Sequence, residues 1–448
     1  MIARLVDRVI TAQQGALPLP AAPATSPDYE RVKRQVHSEF VESIDLTNLR
    51  ARARAELEPQ MRASLTARLQ ARSSVLDANE RALLVDEILD EILGLGPLER
   101  LIRDTSITDI LINGPQTVYV EKEGLLYLTN VHFRDGPHLA HVIDRIVSAV
   151  GRRIDESSPM VDARLADGSR FNAVIPPLAL DGAVVSIRRF GVIPIDVEEL
   201  VTRGSMPRPM AELLRACIRS KLNILISGGT GTGKTTLLNV LSSFIPGGER
   251  IITVEDAAEL RLQQPHVIRL ETRPPNLEGQ GEVACRDLVR NALRMRPDRI
   301  IVGEIRGAEA IDMLQAMNTG HEGSLSTIHA NSPRHALRRL ETLVGLGLGN
   351  IPGASIREMV GGALDVIIQV SRLADGVRRL VSITEVVGME QGVITTQEVF
   401  QFEQRSIAPD GRVRGTFRAT GVRPVFAERL AAHGAPLAPE LLAFHEEV

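Results

Sequence analysis

The sequence predicts an α/β fold built on a parallel sheet, preceded by a smaller α+β domain and an N-terminal helical segment. Three observations predict it. Between residues 201 and 344, short apolar runs alternate with stretches of helical period, as in a parallel sheet covered on both faces. One run, Ile224–Ile226, enters a glycine-rich turn followed by Leu237, Leu238, Val240 and Leu241 at helical spacing. From Ile107 to Phe190, by contrast, short strand-like runs are parted by turn signals at Asn113-Gly114-Pro115, Glu123-Gly124, Pro176-Pro177 and Asp181-Gly182.

In chain order, residues 1–27 carry Pro18, Pro20, Pro23 and Pro27 among alanines, which predicts a flexible tail. Residues 28–94 form the helical segment. Asp28 is placed to cap a helix with Val32, Val36, Phe40 and Ile44 on one face, and a second helix is expected after Pro59. A third, near Asn79–Leu93, has a wide apolar stripe (Leu84, Val85, Ile88, Leu89) that predicts a packed bundle. The α+β domain spans 95–190, with strands at 107–112, 118–120, 125–133, 170–175 and 184–190 and a helix at 136–150. Residues 191–200, with Pro194, read as a connector. In 201–448, strands are expected at 250–254, 267–270, 300–302 and 324–328, and helices at 210–220, 282–295, 308–318 and 333–344. Strands near 364–370, 378–387 and 393–402 predict an antiparallel appendage, followed by a polar tail at Asp410-Gly411 and a short helix from Pro424 to Leu430.

A chain of 448 residues is long enough for two or three domains with real cores. Its net charge of −4 gives no basic footprint for nucleic acid or anionic lipid, and 3% aromatics leave little for stacking bases. Two cysteines, Cys217 and Cys285, cannot build a four-thiolate zinc site and are expected to be buried as small apolar residues. No apolar run approaches the length that spans a bilayer, so a cytoplasmic location is expected.

The chemistry starts at Gly228. Gly228, Gly233, Lys234 and Thr235 satisfy G-x-x-x-x-G-K-[ST], with Gly229, Thr230, Gly231 and Thr232 between them and Thr236 after. Glycines let backbone N–H groups curl round a phosphate, and the following helix offers its positive N-terminus. Lys234 supplies a charge for the β/γ oxygens and the Thr235 hydroxyl suits Mg²⁺, so a nucleoside triphosphate with Mg²⁺ is the expected ligand. Ligands of a parallel sheet sit beyond the carboxyl ends of its strands. Those ends offer Glu255, Glu304 and His329, the groups needed to hold a hydrated metal and orient an attacking water. A magnesium-associated strand commonly ends in Asp, whereas here Gly303 stands at that place. Glu304 is therefore expected to polarise the attacking water and Glu255 to hold the metal shell through water, although the two roles can be exchanged on this information.

Thr253–Glu259, Arg299–Arg306 and Thr319–Asn331 resemble the aspartate box, the variant Walker B segment and the histidine box of the type II/type IV secretion ATPases, with His321 and His329 in the matching places. Asp109–Pro115, Arg269–Asn276 and Asp287–Asp298 look like the CpaF branch, the motor of tight-adherence (Flp) pilus assembly. The resemblance is firmest from about residue 80 to 430. It implies a RecA-like P-loop NTPase core joined to the smaller domain, a hexameric homo-oligomeric ring, and nucleotide held between the two domains. It also implies an ATPase peripheral at the inner membrane, docked on a platform protein of a pilus or secretion system. By family pattern His321 would help bind nucleotide, and Arg170 and Arg188 (or Arg189) would face the γ-phosphate. A DNA-translocating RecA-like ATPase and a nucleotide-gated module without turnover are the alternatives. The charge and aromatic content oppose the first, and the Glu255, Glu304 and His329 set opposes the second.

Overall fold

Among the described residues of the computed structural model, the first helices are Tyr29–Glu42 (α1), Arg54–Gln70 (α2) and Ala78–Leu93 (α3). The structure describes residues 28–43, 54–70, 76–122, 125–165, 167–189, 195–273, 275, 280–349 and 351–448. The Pro/Ala stretch, Ile44 and residues 191–194 of the expected connector lie outside the described residues. By its contacts the chain forms two compact units, Met1–Val192 and Ile193–Val448.

Two helix starts differ from expectation. Asp28 precedes α1 but itself has helical backbone angles, and its side chain makes no cap bond; its carboxylate instead accepts from Arg31 at 2.7 Å. α2 begins at Arg54, so Pro59 lies inside it rather than ahead of it. Leu57, Met61, Leu65 and Leu69 are all buried at i, i+4 spacing, and that packing outweighs one missing backbone bond. α3 starts on a reciprocal capping box between Asp77 and Glu80. Tyr29, Val36, Phe40, Leu65, Leu84 and Ile88 then join in one apolar cluster.

After Leu98–Arg103 (α4), too short to show a period, come Asp109–Asn113 (β1), Val118–Lys122 (β2), Leu125–Leu128 (β3), Gly136–Ala149 (α5), Met160–Arg164 (β4), Arg170–Val174 (β5) and Val184–Arg188 (β6). They form a six-stranded sheet in the order β3-β2-β1-β6-β5-β4. Every pairing in it is antiparallel. The apolar face of α5 (Leu139, Val142, Ile143, Ile146) packs on Ile110, Ile112, Phe171 and Ile187. His138 at the start of α5 lies 2.8 Å from Glu91 of α3.

The second unit includes Val197–Thr202 (α6), a helix that starts within the expected connector and runs past its end, capped by Asp196 accepting from the Glu199 N–H. Arg208–Arg219 (α7), Ile224–Gly228 (β7), Lys234–Ser242 (α8), Ile251–Glu255 (β8), Val267–Glu271 (β9) and Cys285–Ala292 (α9) follow. Next are Arg299–Ile305 (β10), Glu309–Asn318 (α10), Leu325–Ile328 (β11), Pro333–Leu348 (α11), Gly353–Ala363 (α12) and Val366–Arg372 (β12). Arg378–Glu390 (β13), Val393–Ile407 (β14), Val413–Ala419 (β15), Ala427–Ala432 (α13) and His445–Glu447 (β16) end it. The ten-stranded sheet has the order β16-β15-β14-β13-β12-β7-β11-β10-β8-β9.

β12 was expected in an antiparallel appendage, yet it pairs parallel with β7 and so puts the strand of the phosphate loop inside the parallel sheet. Only its pairing with β13 is antiparallel. Asp410-Gly411, expected in a polar tail, lies between β14 and β15, which pair as neighbours. Along β7, Ile224 and Ile226 join one core with α7 and α8. Leu225 points the other way, into a second core with α10 and α11. Cys217 is buried as expected, whereas Cys285 is partly exposed because it sits at the first turn of α9. Among the described residues no helix is long and apolar enough to cross a membrane.

Asn223 fastens the amino end of β7. Its Nδ2 donates to the Ala363 and Met317 carbonyls (2.8 and 3.3 Å). Its Oδ1 accepts from the Gly323 and Ser324 N–H groups (2.9 and 3.2 Å). Asn223→Ala strips these buried groups of their partner, and we expect it to cost about 2–4 kcal/mol. Urea unfolding of the purified variant measures this; a loss below about 1 kcal/mol would contradict the assigned role.

Candidate functional site

The phosphate loop leaves β7 at Gly228, and its glycines answer to specific constraints. A Cβ on Gly228 would lie 2.6 Å from Thr232 Oγ1 and 2.7 Å from the Val370 carbonyl of β12, so no side chain fits. Gly231 and Gly233 have φ of 70° and 93°, the left-handed region that favours glycine. Thr232 donates back to the Gly229 carbonyl at 2.9 Å and closes the turn. Thr230 and Gly231 are exposed at its rim, and Thr235 and Thr236 are half-buried in the first turn of α8.

Lys234 is buried, with 6% of its surface exposed. Its Nζ donates to the Gly229 carbonyl at 2.9 Å and lies 3.3 and 3.4 Å from the two ring nitrogens of His329. His329 Nε2 is in turn 3.1 Å from Glu304 Oε1. Burial and the neighbouring Lys234 both hold the imidazole below its ordinary pKa. A neutral ring fits both contacts if Nε2 carries the proton for Glu304 and Nδ1 accepts from Lys234.

Glu304 is gripped from its other side by Arg306, whose Nε and Nη2 donate at 2.8 and 3.0 Å. Burial opposes its ionisation, but Arg306, His329 and Lys234 together hold the carboxyl below the usual range. Arg306 also reaches Asp256 at 3.6 Å. Arg306 was given no role from the sequence; its place two residues beyond Glu304, just past the end of β10, was the available signal.

Glu255 is a different kind of carboxylate. Only 4% of it is exposed, and Oε2 accepts from the Glu259 and Leu260 N–H groups (2.7 and 2.9 Å). Oε1 is buried with no hydrogen-bond partner. Burial pushes its pKa up to about 7 against those two backbone donors. Gly303 is glycine because of it: a Cβ there would lie 2.9 Å from Glu255 Cγ. No group of three His, Cys, Asp or Glu side chains among the described residues could hold a metal by itself. Mg²⁺ would therefore be shared with nucleotide phosphates, which suits its preference for few protein ligands. The Thr235 hydroxyl, the open Oε1 of Glu255 and the Glu304 carboxylate are the fitting oxygens.

The remaining expected residues lie elsewhere. His321 precedes β11, and Leu325 of that strand pairs with Ile224 at the start of β7. It thus stands at the amino edge of the sheet, the edge opposite the phosphate loop, and this unit does not bring it to the nucleotide cradle. Arg170 and Arg188 belong to the first unit as partners across β5 and β6. Both are exposed, and Arg188 Nε donates to Asp109 at 3.3 Å.

Residues 91–412 match the family described as Type II/IV secretion system protein. The chain belongs to that family. "Putative conjugal transfer protein Rv3659c" of Mycobacterium tuberculosis (strain ATCC 25618 / H37Rv) is 40% identical over 299 residues, 65% of this chain and 84% of the relative. Conjugal transfer protein TrbB of Rhizobium radiobacter is 32% identical over 308 residues, 68% of this chain and 91% of the relative. The crystal structure of the VirB11 ATPase from the Brucella suis type IV secretion system is 29% identical, with a TM-score of 0.35 over 64% of this chain and 91% of that one. The family match covers both the antiparallel sheet of the first unit and the parallel sheet of the second.

Proposed function

We propose that this chain hydrolyses ATP with Mg²⁺ as a cytoplasmic motor for pilus assembly or secretion, of the CpaF branch. The observation that carries it is the linked set Lys234, His329 and Glu304, with Glu255 at the next strand end. It supplies a phosphate cation, a neutral imidazole to report on the γ-phosphate, and two carboxylates in different protonation environments.

Their environments favour exchanging the two carboxylate roles. A general base works best with a pKa near the operating pH. Glu255 is raised to about 7 and Glu304 is held ionised by Arg306. On this reading Glu255 takes the proton of the attacking water and Glu304 helps to hold the hydrated metal. Mg²⁺, when bound, neutralises charge on the β- and γ-oxygens. Thr235 and the loop N–H groups fix the phosphate chain. Movement of phosphate onto Lys234 would release His329 and so reset its contact with Glu304.

The motor reading extends to a homo-oligomeric ring, probed as a hexamer, docked on an inner-membrane platform protein and peripheral to that membrane. Head-to-tail contacts close such a ring, and Arg170 and Arg188 are its candidate γ-phosphate arginines. Support comes from the family match and from relatives named for conjugal transfer. Mass measurement and particle imaging with a non-hydrolysable ATP analogue should give six-fold particles. A monomer under every condition would remove both the ring and the arginine roles. Turnover stimulated by single-stranded DNA at moderate salt would instead favour a DNA-moving ATPase.

A further inference from the structure

The phosphate loop has a second wall that the hydrolytic residues do not use. β7 is flanked on one side by β11 and β10, which lead to His329 and Glu304. On the other side it is flanked by β12 and, beyond that, β13. Val370 of β12 pairs with Gly228, and its carbonyl closes the space where a Gly228 Cβ would be. The first residue of β13, Arg378, comes in above it: a Cβ on Gly233 would lie 3.3 Å from Arg378 Cδ. The guanidinium is therefore carried on a stem that packs against the last glycine of the loop, at the mouth of α8.

The hairpin holds Arg378 there by fixing its neighbour. Asp375 accepts from the Val377 and Val413 N–H groups, each at 3.0 Å, and from Arg379 Nη1 at 3.1 Å. The Arg379 side chain is 8% exposed, and its guanidinium lies 5.2 Å from the centre of the Phe402 ring. Successive strand residues point to opposite faces, so an inward Arg379 presents Arg378 outward. Arg378 is exposed, and its cross-strand partner is Arg372, a second guanidinium on the same rung.

A nucleotide is long and polar at one end. With Lys234, His329 and Glu304 marking its γ end on the β11 side, the phosphate chain must cross the loop toward β12. We propose that Arg378 binds the nucleoside end of the nucleotide, pairing with the α-phosphate and laying its planar guanidinium against the base. Both contacts suit arginine, whose fork matches phosphate and whose face stacks on aromatic rings. This inference rests on the ATP-binding reading above and adds a contact from the chain's own nucleotide-binding unit.

Calorimetric titration of the full chain with ADP and with inorganic pyrophosphate tests it. Pyrophosphate fills the β/γ cradle but has no α-phosphate, sugar or base. Arg378→Ala should weaken ADP binding roughly ten- to hundredfold and leave pyrophosphate binding within about twofold. Arg378→Lys, which keeps the charge and loses the plane, should recover part of the ADP affinity. Unchanged ADP affinity in Arg378→Ala overturns the proposal. An equal loss for both ligands also overturns it, since Arg378 would then act by shaping the loop. Wild-type protein that binds neither ligand would instead sink the ATP-binding reading.

Discussion

Glu255→Gln should cut ATP turnover by orders of magnitude and make the protein more resistant to heat at pH 8. The folded pKa of Glu255 is raised by burial to about 7, from an ordinary value of 4.5. Between those values the native state keeps a proton that the unfolded chain has released. Stability therefore falls as pH rises through that window, and the full penalty persists above pH 7. Glutamine has the same shape and no charge, and its carbonyl can still accept from the Glu259 and Leu260 N–H groups. Removing the buried charge should add about 1–3 kcal/mol at pH 8, and little at pH 4.5 or below. Turnover should drop about 10²–10⁴-fold, the usual contribution of a positioned general base. Wild-type turnover should climb as pH passes through about 7, where the base becomes deprotonated. Melting curves at both pH values and a phosphate-release assay check each part; a variant that retains wild-type turnover removes Glu255 from the base role.

Lys234→Ala should remove nucleotide binding and, with it, the stabilisation that ADP confers. In the structure the ammonium is almost wholly buried and held by the Gly229 carbonyl and His329. It is a buried cation placed where phosphate charge would arrive. Loss of one preorganised donor of this kind commonly costs about 10²–10³ in rate, and here it also removes ground-state affinity. Wild-type protein at ADP one hundred times its Kd should gain about 2.7 kcal/mol against unfolding. The variant should gain almost nothing at the same concentration. Thermal melts with and without ADP decide it, and a variant still shifted by ADP as far as wild type would contradict the cradle. Burial lowers the Lys234 pKa while Glu304 supports its charge. Alanine therefore also removes a desolvated charge, and the unliganded variant should fold.

Much of the parallel core could be read locally. Strands β7, β8, β10 and β11 are short apolar runs bounded by turns. The carboxyl ends of three of them carry the acids and the imidazole because ligand groups of such sheets gather there. Local signals failed where burial overrode them. Pro59 marks a helix start by its own chemistry, but four buried side chains extend α2 back to Arg54. Asp28 has the composition of a cap and not its backbone angles. His321 shares a motif with His329, yet a strand of four residues, Leu325–Ile328, separates them and carries them to opposite edges of the sheet.

The candidate phosphate cradle was legible in the sequence alone, because its residues are contiguous: glycines that permit left-handed turns, then a lysine and a threonine opening a helix. What surrounds the cradle was decided only by tertiary structure. β12 lies parallel beside β7 although 142 residues separate Asn223 from the Asp365 carboxylate that receives its N–H, and no local period reports such a pairing. That placement brings Arg378 to Gly233 and Val370 to Gly228. The difference between Glu255 and Glu304 has the same origin. Two glutamates at neighbouring strand ends are equivalent as letters. Desolvation raises one, and Arg306 with His329 lowers the other, because a proton's affinity is set by burial and by charges brought close through folding.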